Sequence, residues 1–295
     1  MKIICLLLAS IQIAFSSIAP DFPEPQHFFD ASISDSNSSQ NFVYKGWALK
    51  DPSKSTISFS HQNREWDYQW YLASAVLPTK DHIFGVGASV YTSADIPVTA
   101  TDTISPYISS YSSDAFYSAY LVYQPKSHTL DQIFSGMNIS FILNGKYRKL
   151  IEISAKQVSL DVHLSSESIL NRQIGLRTTN LISSDYEWST GQTETLSKYI
   201  SIYYIQPIRP FYLIGEYNKN INYSDTDMAM GHILFEFDPS LSIFTTYRVS
   251  NTMTSLAFGS HIKLSTNFSL DYSLQTESYD YGDESVHSIS IGVLF

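Results

Sequence analysis

The final residues of the chain, 289–295, alternate strictly between two kinds of side chain. Every second position is apolar or aromatic, namely Ile289, Ile291, Val293 and Phe295, and the positions between them are mostly Ser or Gly. Strict alternation is typical of a β-strand whose two faces meet different surroundings. The last strand of an outer-membrane barrel has this form, because one face meets lipid and the other meets a polar lumen. We therefore expect these four residues to face lipid and to act in barrel assembly.

The same ending resembles the C-terminal signal that the barrel-assembly machinery recognises, so this machinery is an expected partner. The N-terminus agrees with export. Met1 and Lys2 precede an apolar stretch, and Ser17–Ala19 supplies small residues for cleavage, so residues 1–19 are predicted to be a Sec signal peptide. Cys5, the single cysteine, lies inside this segment. The mature chain is then free of cysteine, which excludes disulfides, thiol catalysis and cysteine metal sites.

The rest of the chain divides into two parts. Residues 20–55 are polar and rich in Pro and Ser, and are predicted to be a lumenal or periplasmic segment, a reduced hatch or plug. Residues 56–295 are predicted to form the barrel. No run of about 18 apolar residues follows Ala19, so no transmembrane helix is expected. The formal net charge of -10 argues against a nucleic-acid partner.

Alternating segments predict an all-β, transmembrane antiparallel barrel of about fourteen strands. The count falls to twelve if the two weakest, Thr56–Ser60 and Lys198–Ile205, are not strands. The others are Asp67–Leu77, His82–Tyr91, Phe116–Tyr123, Met137–Lys146, Leu150–Leu164, Leu170–Asn180, Phe211–Asn218, His232–Asp238, Leu241–Arg248, Thr254–Leu264, Phe268–Gln275 and Val286–Phe295.

The predicted connections on one side of the barrel are short and those on the other side are long, as in bacterial barrels with short periplasmic turns and longer outer loops. Short turns are expected at Pro78–Asp81, Ser165–Ile169, Gln206–Pro210, Pro239–Ser240 and Ser265–Asn267. Long loops are expected on the other side, at Thr92–Ala115, Leu181–Ser197, Lys219–Gly231 and Ser278–Ser285. One connection, Gln124–Ser135, is long but falls on the short-turn side.

The sixth strand changes the phase of its alternation near Lys156-Gln157, which predicts a β-bulge. This interpretation points four charged or titratable side chains into the lumen: Glu152, Lys156, Asp161 and His163. Together with Asn180 they are the candidate polar residues of the lumen. They either neutralise one another and fill a narrow lumen, or form a polar track for a ligand or ion.

Many aromatic residues lie near the ends of the predicted strands. They are Trp66, Tyr68, Trp70, Tyr91, Tyr117, Tyr123, Tyr186, Trp188, Tyr199, Tyr217, Tyr247 and Tyr279. Amphipathic rings suit the boundary between lipid and water, so they are predicted to form girdles. The alternative is an aromatic platform for a ligand on the outer loops.

Several segments, in order, resemble the PorV/PorQ-type outer-membrane proteins, which belong with the fourteen-stranded long-chain fatty acid transporter (FadL) barrels. The segments are Phe84–Tyr91 with Ala94–Pro97 and Asp102, Ser113–Phe116, Ser135–Tyr147, Val158–Val162, Gly175–Leu181 and His287–Phe295. Residues 20–55 depart from the family's Gly/Ala-rich front, retaining only Pro52 of its Asn-Pro-Ala-Gly turn. Asp161 and Asn180 stand at family-like positions, where we interpret them as buried polar pins near strand ends.

The resemblance implies an accessory or scaffold component of protein export at the outer membrane, with secreted proteins or an export complex as partners. The alternative, implied by the wider superfamily, is a passive transporter of hydrophobic small molecules, which needs an apolar pocket in the lumen. An enzyme is not predicted: His287 and Ser288 are neighbours in a strand and so point to opposite faces. No catalytic residue, metal site or cofactor is predicted, since the histidines are scattered.

Overall fold

The computed structural model describes residues 54–64, 68–100, 107–126, 137–150, 153–167, 172–222, 227–279 and 282–295, without the side chains of 94–100 and 107–112. The predicted signal peptide and all but the end of the 20–55 segment lie outside these residues. In the described part of the chain there is no helix long and apolar enough to cross a membrane.

Strands make up nearly all of the described chain. They are β1 (Thr56–Arg64), β2 (Tyr68–Pro78), β3 (His82–Ala100), β4 (Tyr107–Pro125), β5 (Met137–Leu150), β6 (Ile153–Glu167), β7 (Gln173–Thr179), β8 (Ile182–Ser183), β9 (Tyr186–Trp188), β10 (Thr193–Glu194), β11 (Tyr199–Ile208), β12 (Phe211–Asn220), β13 (Met228–Asp238), β14 (Leu241–Ser250), β15 (Met253–Ser265), β16 (Phe268–Tyr279) and β17 (Gly282–Leu294).

The sheet closes on itself as an antiparallel barrel. Each long strand pairs with the next, β7 pairs with β11, and β17 returns to β1 from Thr56↔Leu294 to Arg64↔Val286. Apart from the three short strands β8 to β10, fourteen strands form the wall, which confirms the predicted fold and count. Among the described residues, closure gives each of the fourteen strands a partner on both sides over the body of the wall.

The two faces of the wall differ as alternation requires. On β1 the side chains at even positions from Thr56 to Arg64 are buried, whereas Ile57 and Phe59 are exposed on the outside. The predicted lipid and lumen faces of β16 are likewise confirmed, since Ser269, Asp271 and Ser273 are buried and their apolar neighbours point outward. The apolar outer face suits lipid as its surroundings.

The predicted division into short and long connections holds only in part. We call the end of the barrel at Thr56 and Leu294 the terminal end, and the opposite end the far end. Short turns at the terminal end join β2 to β3, β11 to β12, β13 to β14 and β15 to β16, as expected. The 126–136 connection is the long one at that end, also as expected.

Three of the predicted long loops at the far end are wrong in extent. β3 and β4 continue to pair as far as Ala100↔Tyr107, which leaves only 101–106 as their connection. β16 and β17 pair as far as Tyr279↔Gly282. The 219–231 loop shrinks to 221–227. Polar and Tyr-rich residues pair well in strands outside the apolar belt, so composition alone misjudged where these strands end.

The fourth predicted loop is partly folded into the wall. β8 and β9 pair with β6, at Leu160↔Ile182 and Ala155↔Trp188, so they extend the line of β7 toward the far end. β10 then pairs with β9. We call residues 180–198 the inserted segment. Its position brings aromatic side chains from a predicted loop into the inner wall.

Candidate ligand-binding lumen

A cluster of apolar and aromatic side chains lines the inner surface of β2 to β6. We call it the aromatic wall; its members are Trp70, Leu72, Val76, Ile83, Tyr91, Phe116, Tyr120, Val122, Ile142 and Ala155, with Tyr186 and Trp188 from the inserted segment. All are buried. The cluster gives one side of the lumen a surface suited to apolar rings.

Three rings at the far end of the aromatic wall contact one another. The Tyr91 ring stacks on Tyr68, with centroids 5.3 Å apart, and meets the edge of Trp70 at 5.5 Å. The register places Trp70 opposite Tyr91 and Tyr91 opposite Phe116, so these inward rings form a continuous row across three strands. Stacked and edge-on pairs of this kind hold aromatic side chains in fixed orientations.

Polar contacts fix Trp188 of the inserted segment against the wall. Its indole Nε1 donates to Glu194 Oε2 at 3.2 Å, and the Arg148 guanidinium lies 6.0 Å from its ring centroid. Arg148 also forms an ion pair with Asp114 at 2.8 Å. The inserted segment is thereby joined to both β4 and β5.

Asn180 begins the inserted segment in the left-handed region, with φ of 56°. Its backbone N–H donates to Asp161 Oδ1 at 2.6 Å, and its Nδ2 donates to the Ser197 carbonyl at 3.1 Å. Lys146 Nζ donates to its Oδ1 at 3.1 Å. Asn tolerates this backbone region better than most residues. The structure thus brings the predicted residues Asp161 and Asn180 into direct contact.

The other side of the lumen is lined mainly by polar side chains, several of which pair with one another. Three histidines illustrate this: His163 Nε2 lies 2.8 Å from the Tyr203 hydroxyl, His232 Nδ1 lies 2.7 Å from Thr246 Oγ1, and His261 Nδ1 lies 2.7 Å from Asp271 Oδ1. The lumen is therefore two-sided, with an aromatic wall on β2 to β6 and a polar surface over much of the remaining strands.

A buried ion pair crosses the closure of the barrel at its far end. Arg64 Nη2 on β1 donates to both carboxylate oxygens of Glu277 on β16, at 2.9 and 3.0 Å. Arg64 Nη1 also lies 3.6 Å from Glu284 Oε2 on β17. Gln275 and Tyr279 donate to the same Glu277 carboxylate. Pairing of the two opposite charges is what allows them to be buried.

The predicted bulge in β6 is wrong. β6 pairs with β5 in one continuous register, from Leu150↔Ile153 to Met137↔Ser166. Ala155 faces inward and packs in the aromatic wall, whereas Lys156 is exposed on the outer face rather than in the lumen. The apolar residues change parity along β6 because the inner face of the strand is itself apolar near Ala155. His163 does face the lumen, and Glu152 lies outside the described residues.

The girdle prediction is right for some aromatic residues and wrong for others. Tyr117, Tyr217 and Tyr247 are exposed on the outer face, as girdle residues should be, and Tyr123 also faces outward. The rest of the predicted girdle that the structure describes faces the lumen: Tyr68, Trp70, Tyr91, Tyr186, Trp188, Tyr199 and Tyr279. Trp66 lies outside the described residues. The inward set includes the rings that give the aromatic wall its character.

His163 and His287, each with a serine close by in sequence, lie on opposite faces of the wall. His287 is exposed and bonds to Tyr272, whereas Ser288 is buried on the opposite face. His163 and Ser165 share the inner face of β6, but the Nε2 atom of His163 contacts Tyr203. Among the described side chains, no group of three or more His, Cys, Asp or Glu residues is placed to hold a metal ion.

Comparison with known proteins finds similarity in structure and none in sequence. No protein-family model and no curated protein sequence matches the chain. The fold is similar to the monoaromatic hydrocarbon channel CymD, with a TM-score of 0.53 and 11% identity over 82% of this chain and 88% of that one. It is also similar to the Pseudomonas putida toluene transporter TodX, with a TM-score of 0.53 and 10% identity over 83% of this chain and 90% of that one.

At such identities the likeness concerns the fold. It is the antiparallel barrel fold of a hydrocarbon channel and of a toluene transporter. Neither neighbour is a protein of the PorV/PorQ type, and the resemblance to those proteins and to the wider transporter superfamily remains an expectation.

Proposed function

We propose that this protein is a passive outer-membrane channel for hydrophobic small molecules. The observation that carries the proposal is the aromatic wall, because sites for apolar small molecules are lined predominantly by hydrophobic and aromatic side chains. The apolar outer face fits lipid as the surrounding partner, and the fold is shared with a toluene transporter. Residues 1–19 as an export signal and 20–55 as a reduced hatch belong to the same proposal.

Uptake of radiolabelled naphthalene tests the function. The full chain is expressed in a Gram-negative host with an intact lipopolysaccharide barrier, and the initial uptake rate is compared with that of the empty vector. Expression should raise the rate severalfold. The Trp70→Ala, Phe116→Ala variant should remove most of the increase, because it strips two adjacent rings from the wall.

A lipid-facing variant, Phe59→Ala, serves as the matched control and should transport normally, since Phe59 lies on the outer face. Heat-modifiable gel mobility confirms that each variant is a folded barrel. Uptake equal to that of the empty vector, with folded protein in the outer membrane, would reject the channel function.

An accessory role in protein export is the second candidate, and one feature favours it. Beyond Ser93 and Asp114, β3 and β4 pair only with each other, so they form a two-stranded extension past their neighbours at the far end. Such an extension is a natural contact for a secreted protein or an export complex. Replacing 95–112 by a short turn should then lower the amount of secreted protein in the culture medium while leaving naphthalene uptake intact.

A further inference from the structure

Five buried polar side chains in or beside the aromatic wall have no hydrogen-bond partner for their polar atoms within the described chain. They are Gln62, Trp70, Ser89, Ser118 and Gln157, with exposed fractions from 0% to 5%. Both carboxamide atoms of the two glutamines are unpartnered, as are the indole Nε1 and the two serine hydroxyls. Buried polar groups in native proteins are nearly always paired, so a cluster of exceptions calls for a physical reason.

The register places four of these groups on two neighbouring rows, and Gln157 lies further along the row of Ser118, beyond Lys146. Gln62 is directly opposite Trp70, and Ser89 is directly opposite Ser118. The Gln62–Trp70 row continues into Tyr91 and Phe116, so rings and hydrogen-bonding groups alternate over one patch of the lumen. Opposite residues in an antiparallel pair have Cβ atoms about 5 Å apart. The patch is therefore small enough for one ligand of two fused rings to span.

Elsewhere on the inner surface some serine hydroxyls also lack a partner among the described residues, as at Ser159 and Ser201, whereas others are paired. The Ser58 hydroxyl lies 2.8 Å from that of Ser74, and the Ser60 hydroxyl lies 2.5 Å from that of Ser290. Serines at inward positions can thus pair across strands in this barrel. Ser89 and Ser118 are also directly opposite each other, yet they do not pair. Their hydroxyls remain available to a third group.

Three cationic side chains border the patch, and each already has a polar partner. Lys146, opposite both Ser118 and Gln157, donates to Asn180 Oδ1 at 3.1 Å. Arg64 pairs with Glu277, and Arg148 pairs with Asp114, both at hydrogen-bond distance. An anionic ligand at either arginine would have to displace a buried carboxylate, which is costly. The patch thus favours an uncharged ligand that presents both an aromatic ring and hydrogen-bonding groups.

Resting on the proposed channel function, we propose that the solute is an uncharged aromatic molecule bearing hydroxyl or carbonyl groups, rather than a plain hydrocarbon. Its ring packs on Trp70, Tyr91 and Phe116. Its polar groups exchange hydrogen bonds with Gln62, Ser89 and Ser118. A hydrocarbon of the same shape buries these groups without pairing them, and a site built for hydrogen bonding rejects an analogue that cannot supply them.

Equilibrium dialysis of the intact purified protein in detergent, with naphthalene and 2-naphthol as matched probes, tests this inference. Binding is corrected for partition into protein-free micelles. 2-Naphthol should bind at least about tenfold more tightly than naphthalene, the equivalent of about one good hydrogen bond. The Ser89→Ala, Ser118→Ala variant should reduce that preference to about twofold while leaving naphthalene binding unchanged.

Ser242→Ala is the matched control, because Ser242 is equally buried and faces the lumen on β14, away from the patch. It should keep the full preference. Replacing unpartnered buried hydroxyls by methyl groups should not weaken the fold, so the double variant remains testable. Gln62→Leu offers a second, independent variant with the same expected loss.

The outcomes separate the inference from the function beneath it. Equal affinity for the two probes, with binding intact, would overturn the inference and leave the hydrophobic channel in place. A tenfold preference that survives both variants would overturn the assignment to this patch. Absence of binding by either probe, together with no naphthalene uptake in cells, would overturn both proposals.

Discussion

At the scale of single residues, two glycines shape the lumen because they leave room for aromatic rings from the neighbouring strands. A Cβ atom on Gly175 would lie 2.1 Å from Cζ of Tyr203, and one on Gly259 would lie 2.1 Å from Cζ of Phe244. Each ring therefore lies flat over the glycine of the neighbouring strand, an arrangement that stabilises a strand glycine by covering it. For Tyr203 this places its hydroxyl at His163.

Gly175→Ala should destabilise the barrel by about 1–3 kcal/mol, because the added methyl forces a buried ring from its place. The free energy of unfolding in urea, measured in lipid vesicles, checks this. Gly145→Ala is the matched control: nothing lies within 4 Å of its new Cβ, so its stability should change little. Equal effects of the two substitutions would contradict the close packing of Tyr203.

Asp227, in the loop between β12 and β13, gives a prediction about pH. Its carboxylate accepts from Lys219 Nζ at 2.6 Å, and from the Asn220 backbone N–H and the Tyr217 hydroxyl, both at 3.0 Å. The bond from the Lys219 ammonium, followed by the bonds from the other two donors, lowers the pKa of Asp227 below its ordinary value. A lowered carboxyl pKa stabilises the folded loop above the unfolded value and ceases to do so as the pH falls through the folded one.

The amide of Asn220 should thus exchange more slowly in the wild type than in Asp227→Asn at pH 7. The difference should begin to shrink as the pH falls below the ordinary Asp pKa of about 4, and should vanish only below the lowered pKa of the folded loop. Hydrogen exchange of the two proteins, compared at each pH, gives the measurement. A constant difference from pH 7 to pH 3 would show that the carboxylate charge is not what holds the loop.

Residue-scale features of the inner wall were only partly predictable from the sequence. Tyr91 is in phase with Gly85, Gly87 and Ser89, and this pattern alone is sufficient to place it in the lumen. Trp70 and Phe116 lie in strands that are apolar or aromatic on both faces, so alternation carries no information about their direction. When both faces of a strand are apolar, its pairing with the neighbouring strands decides which face points inward. Alternation along the sequence does not predict that pairing.

At the scale of elements, the closure between the first and last strands depends on one buried cluster as well as on the backbone ladder. Arg64 on β1 reaches past β17 to Glu277 on β16, and both side chains are almost completely buried. We therefore expect Arg64→Met to cost about 3–5 kcal/mol, because it leaves a buried carboxylate without its cation. The midpoint of the heat-induced shift in gel mobility reports the change.

The double variant Arg64→Met, Glu277→Leu separates charge from packing. Removing both charges should recover most of the loss, since a well-packed apolar pair often equals a buried ion pair in stability. Lys219→Met removes a more exposed ion pair and should change the midpoint little. No recovery in the double variant would mean that Arg64 acts through its packing rather than its charge.

The inserted segment shows why sequence patterns misjudge elements at the rim. Residues 181–197 are polar and contain Gly191 at a φ of 83°, so they have the composition of a loop. Asn180 nevertheless lets the chain turn and resume pairing with β6 as β8 and β9. Two- and three-residue strands are too short to produce a period, which is why Trp188 was not predicted as part of the lumen.

At the scale of the whole molecule, the barrel was the most predictable feature and the site the least. Fourteen strands follow from local alternation, since each has one face toward lipid and one toward the lumen. The candidate site is a property of five strands and an inserted segment together, spread from Trp70 to Trp188. Residues so far apart in sequence come together only through closure.

Phe295, the last residue, allows the assembly of this closed barrel to be tested separately from its stability. Phe295 is 68% exposed on the outside, and its backbone N–H donates to the Ser55 carbonyl at 2.9 Å. Deleting it removes little buried surface, so the folded barrel should lose little stability. If the ending serves as an assembly signal, the same deletion should sharply lower the amount of barrel that reaches the outer membrane.

Two measurements on the same variant distinguish these effects: the heat-modifiable barrel recovered in the outer-membrane fraction, and the yield of purified chain refolded into detergent. We expect a large fall in the first and little change in the second. Phe59→Ala is the control, because Phe59 is a similarly exposed ring but lies within β1 rather than at the C-terminus. This substitution should leave both quantities unchanged. A parallel fall of both quantities in the deletion would assign Phe295 to stability, and unchanged membrane levels would remove the assembly interpretation.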